Sequence, residues 1–90
     1  MKLTMYKNAD GGTEMISRDG ALREIRELGH SLAVSLAELG HDTKQSDLMN
    51  GLAAYHTLKL EGVSPRLDAA HRVVIKIITD EMFERARAAI

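Results

Sequence analysis

Hydrophobic residues recur along most of this chain at spacings of three and four. From position 18 to 39 they fall at Leu22, Ile25, Leu28, Leu32, Leu36 and Leu39, which is one stripe of an amphipathic helix. Ser17-Arg18-Asp19-Gly20 opens that helix and Gly40 stops it. Asp19 with Arg23, and Arg23 with Glu27, are four apart on its polar side. Gly29 and Ala33 lie beside the stripe, where small residues let a second helix approach closely.

A second helix is expected over 43–61. Asp42-Thr43-Lys44-Gln45 has the acceptor and Gln spacing of a capping box. Leu48, Met49, Leu52, Tyr55 and His56 then share a face. Gly51 should weaken the middle by about 1 kcal/mol relative to Ala. The third helix, 65–89, has the clearest start: Ser64 as cap and Pro65 in the first turn. Val73 to Thr79 is rich in β-branched residues and also suits a strand. The helical period of Leu67, His71, Val74, Ile78, Met82 and Arg85 continues through it without a Gly or Pro, so helix is the expectation.

The first sixteen residues have a different rhythm. Leu3 and Met5 alternate with Thr4 and Tyr6, Asn8-Ala9-Asp10-Gly11-Gly12 signals a turn, and Thr13 to Ile16 can return as a second strand. Such a hairpin is marginal alone and must pack on the helices. The fold class expected is mainly α: a short N-terminal β-hairpin (1–16) followed by a three-helix bundle, up-down-up, in one domain spanning 1–90. The expected core is Leu22, Ile25, Leu28, Leu32, Leu36, Leu48, Leu52, Tyr55, Leu67, Val74, Ile78 and Met82.

The third helix carries more apolar surface than one packing face needs. At 100° per residue, Leu67, His71, Val74, Ile75, Ile78 and Met82 form one arc. Ala70, Val73 and Ile77 widen it to about 200°, against roughly 100–140° for a helix buried on one side. Either this helix is central and the rest of the chain shares its surface, or Ala70, Val73 and Ile77 face a partner. These three are the candidate partner-binding residues.

Composition narrows the function by exclusion. Twelve Lys and Arg oppose thirteen Asp and Glu, for a net charge of -1. The charges are balanced locally too, which argues against a nucleic-acid binder. Gly40 between two helices invites comparison with helix-turn-helix repressors. That motif wants a small residue four positions before the turn Gly and an apolar one after it, where this chain has Leu36 and His41. A ribbon-helix-helix is broken by the Gly-rich turn. There is no cysteine, which removes disulfides and thiol chemistry and fits a cytoplasmic protein. Met1 to Lys7 has no signal-peptide apolar run, and Lys76 interrupts the longest apolar-rich stretch, so no membrane association is expected.

Four histidines are the only candidate ligands of note. His56 and His71 fall within the apolar arcs of their helices and can approach each other in the core. No pair has the His-Glu-x-x-His spacing, and tetrahedral zinc needs further ligands, so hydrogen-bonded structural histidines are expected, with no metal and no cofactor. No nucleophile elbow, P-loop or dinucleotide fingerprint occurs, and no catalytic residue is assigned. Gly62-Val63-Ser64-Pro65, with Ile77-Ile78 and Glu81 on the helix that follows, resembles the last helix of small all-helical chorismate mutases, with Arg23 and Arg26 set against that family's first helix. The resemblance implies a dicarboxylate held by Arg and Lys from several helices. This chain has neither between Arg26 and Lys44, and the resemblance stops there.

The expected function is therefore a small non-enzymatic protein–protein interaction module. It would act as an inhibitor or regulator by steric occupancy of a protein partner, or through self-association as a homodimer. Small proteins that mobile elements encode against host or defence machinery belong to this class. The alternative is a DNA-binding transcriptional regulator.

Overall fold

The computed structural model describes residues 2–89, so position 1 of the expected hairpin lies outside the described residues. Strands β1 (Leu3–Lys7) and β2 (Thr13–Ser17) pair antiparallel, with Met5 opposite Met15 and Tyr6 opposite Glu14. The Asn8 side-chain oxygen closes the turn, accepting from the backbone N–H of Asp10 (3.1 Å) and Gly12 (2.9 Å). One hairpin face turns inward and buries Tyr6 and Ile16, while Leu3, Met5 and Met15 remain exposed on the other.

Helix α1 (Arg18–Glu38) follows β2 without a linker. Ser17 ends the strand and caps the helix, its hydroxyl accepting from the Gly20 N–H at 3.0 Å. This shared residue anchors the hairpin to the helical layer. At the other end Gly40 (φ +84°) turns the chain as expected, and the His41 N–H bonds back to the Leu36 carbonyl at 2.8 Å.

Helices α2 (Asp47–Lys59) and α3 (Pro65–Ala88) pack against α1 from two sides and barely touch each other except around Tyr55. The central helix is thus α1, not α3. The segment from 73 to 79 is helical throughout, which excludes a strand there.

Helix α2 begins four residues later than the expected 43 and stops two before 61. Ser46 is the cap, accepting from the Met49 N–H at 3.2 Å. Thr43 is engaged elsewhere: its hydroxyl accepts from the side-chain amide of buried Asn50 at 2.9 Å, which ties the preceding loop across the first turn. The buried face of α2 is Asn50, Gly51, Ala54 and Tyr55; Met49 and His56 are exposed.

The core is built on small residues. Ala21, Ala69 and Ala70 are fully enclosed together with Ile25 and Val74. Gly29 and Gly51 lie where α1 and α2 cross. A Cβ on Gly29 would stand 1.7 Å from the Asp47 carbonyl oxygen, and one on Gly51 would stand 2.0 Å from that of Ile25. Backbones this close leave no room for leucines at the centre of the contact. Of the expected core, Ile25, Tyr55 and Val74 are buried, and most of the leucines are half-buried at the flanks. Met82 is exposed, because α3 has by then passed the end of the body.

The molecule is flat and open, with extents of 47 × 39 × 23 Å. Its radius of gyration is 14.8 Å, against about 12 Å for a compact chain of this length. It exposes 6650 Å² at a mass of 9.9 kDa, where a compact monomer exposes about 5,200 Å².

Candidate interaction surface

Helix α3 has enough turns to outrun the body. From Thr79 to Ala89 every residue is exposed, with Met82 and Phe83 about two-thirds so. Where it leaves the body it forms one wall of a groove of about 530 Å³. Val73 and Ile77 line it, both half-buried. Thr4 and Lys2 at the start of the hairpin and Arg18 at the start of α1 form the opposite wall.

Two of the three candidate partner-binding residues are thus brought together in this groove. The third is not: Ala70 is fully enclosed in the core, where its small side chain fits the close packing of α3 on α1. Lys2, Thr4 and Arg18 went unrecognised, since no sequence signal connects them to a helix more than fifty residues away.

The charges around the groove have both signs: Lys2, Arg18, Lys76 and Arg85 against Asp80, Glu81 and Glu84. Lys76 pairs with Asp80 at 3.1 Å, and Glu84 with Arg87 at 3.9 Å. Arg18, Glu81 and Arg85 make no ion pair among the described residues. These are exposed charges, which are stabilised little in isolation and remain available to a partner.

A polar cluster forms where α2 meets α3. Tyr55 stacks on His71 with ring centroids 3.7 Å apart, and His56 stands edge-on, 5.4 Å from His71. The two histidines do approach, although His56 does so from the surface. The Tyr55 hydroxyl donates to Asp68, which holds that carboxyl below its usual range, while burial pushes the Tyr55 hydroxyl up. Lys59 lies 3.9 Å from Asp68. The His71 Nε2 atom is buried without a hydrogen-bond partner. Burial and then neighbouring His56 push the His71 imidazole below the usual range, only partly opposed by Asp68. Among the described residues no group of three His, Cys, Asp or Glu side chains is placed to hold a metal ion. The cluster joins two helices that otherwise have little contact.

This cluster makes stability depend on pH. The unfolded chain binds a proton at His71 more readily than the folded one, so stability falls as pH drops through about 6.5. Glu14 and Asp68, both held low by hydrogen bonds, add their loss only in the carboxylate range, near pH 4 and below. Denaturant midpoints measured from pH 7.5 to 5.5 should decline in the wild type. His71→Phe, which keeps a ring against Tyr55, should flatten that decline; a flat wild-type profile would contradict the assignment.

No family model, curated protein or solved structure matches this chain. Among the described residues no helix is long and apolar enough to cross a membrane. The candidate surface therefore rests on its own geometry: an apolar floor, walls of mixed charge and a helix end without a neighbour.

Proposed function

We propose that this chain is a small non-enzymatic protein–protein interaction module, acting as an inhibitor or regulator by occupying a partner's surface through the α3 groove. The observation that carries this reading is the uncovered surface. About 1,400 Å² is exposed beyond what a compact monomer of this mass needs, and a standard protein interface takes about 800 Å² from each side. The mixed charge signs around the groove, with Asp80, Glu81 and Glu84 along its α3 wall, offer a phosphate backbone no continuous basic track, which favours a protein partner over DNA.

Ile77 is the test position, since it lines the groove and lies outside the fully enclosed core. Ile77→Asp should keep the helical circular dichroism of the wild type. It should weaken association by about 30-fold or more, as the loss of a central apolar anchor does. Sedimentation of the purified protein, and retention of partner protein on immobilised wild type and variant, supply the comparison. A variant that unfolds would make Ile77 a core residue. A variant that binds unchanged would remove the groove from the interface.

A further inference from the structure

The packing face of α3 continues beyond the body. At 100° per residue, Val74, Ile77, Ile78, Glu81, Arg85 and Ala88 stand on one side of the helix. The chain's own residues enclose Val74 and half-bury Ile77 and Ile78. Past that point the same side runs on uncovered as Glu81, Arg85 and Ala88.

We propose that a second copy of this chain covers it, the two α3 ends crossing antiparallel about a two-fold axis at the level of Phe83. An antiparallel pairing centred there sets Glu81 of each copy opposite Arg85 of the other. It also sets the small Ala88 of each copy over Ile78 of the other. A two-fold interface must be complementary to itself, and this face carries both halves of the match. Glu81 and Arg85 have no ion-pair partner within their own chain among the described residues.

Two further observations favour a copy of the chain as the occupant. The surplus surface exceeds what one side of a standard interface buries. A net charge of -1 leaves little long-range repulsion between copies.

This inference rests on the reading of the α3 groove as a contact surface, and charge reversal tests it separately. Each contact occurs twice in the pair, so Glu81→Arg or Arg85→Glu alone sets like charges together at both crossings. Either should raise the dimer dissociation constant about tenfold or more in sedimentation equilibrium. The double variant Glu81→Arg/Arg85→Glu restores opposite charges and should return it to within about threefold of wild type. Circular dichroism should be unchanged in all three, because both side chains are exposed. A wild type that stays monomeric overturns the inference, as does a dimer indifferent to the single reversals or not rescued by the double. If a monomeric wild type still loses a foreign partner through Ile77→Asp, the groove reading stands and only the second copy is wrong. If a dimer ignores both the reversals and Ile77→Asp, both readings fail.

Discussion

Gly29→Ala is expected to destabilise this protein by about 3 kcal/mol or more, at the severe end for an overpacked contact. In an exposed helix the same change would stabilise by about 1 kcal/mol, because Gly carries the larger backbone entropy cost. The sign reverses here because the added methyl would meet the backbone of α2: the Asp47 carbonyl oxygen at 1.7 Å and the Gly51 nitrogen at 2.5 Å. A side chain rotates out of the way at little cost, whereas a helix backbone must translate. Moving α2 away from α1 also loosens Ile25, whose carbonyl oxygen would stand 2.0 Å from a Cβ on Gly51. Gly51→Ala should therefore have a similar effect. Thermal unfolding gives the readout, with a drop of about 15 °C for a domain of this size. A midpoint at or above that of the wild type would show that the two helices do not cross this tightly.

Tyr55→Ala should cost about 3–5 kcal/mol, the usual range for removing a buried aromatic ring. Tyr55 is only 1% exposed and is the largest fully buried side chain. Its ring stacks on His71 and its hydroxyl holds Asp68, both on α3, so the truncation also removes the main link between α2 and α3. Tyr55→Phe separates the two contributions. It keeps the stack and loses one hydrogen bond to a charged acceptor, for about 1.5–3 kcal/mol. Urea denaturation of both variants measures the split. Equal losses would place the value of the residue in its hydroxyl rather than in its packing.

The contrast between these positions and the sequence reading has a physical origin. Element type was legible where local signals agreed: Ser64-Pro65 starts α3, the absence of Gly and Pro carries it through the β-branched run, and the Asn8–Gly12 turn joins the strands. The start of α2 was not, because Asp42–Gln45 and Ser46 both offer capping chemistry. The choice between them is made by tertiary contacts, namely Asn50 holding Thr43 and Asp47 pressed against Gly29.

Hydrophobic periodicity located the correct side of α1 but not its centre. It ranks leucine above alanine and glycine, whereas close backbone approach selects the small residues. Gly51 read as a weak point and is in fact required by the crossing. The same reasoning explains the candidate surface. Val73 and Ile77 were legible as apolar width beyond one packing face. Ala70, counted with them, is small enough to be enclosed. The other wall of the groove comes from the hairpin and the start of α1, and its proximity to α3 is a property of the fold alone.

The pairing of two α3 ends is tested most directly by a disulfide. The chain has no cysteine, so an introduced thiol has no competitor. One copy carries Glu81→Cys and the other Arg85→Cys. A mixed pair sets the two thiols opposite each other and keeps one Arg85–Glu81 contact intact, whereas each variant alone loses both contacts. Mild oxidation of the mixture should give a cross-linked species containing both chains, well above what either variant forms alone. If the mixture cross-links no more than the separate variants, the two ends do not meet in this register.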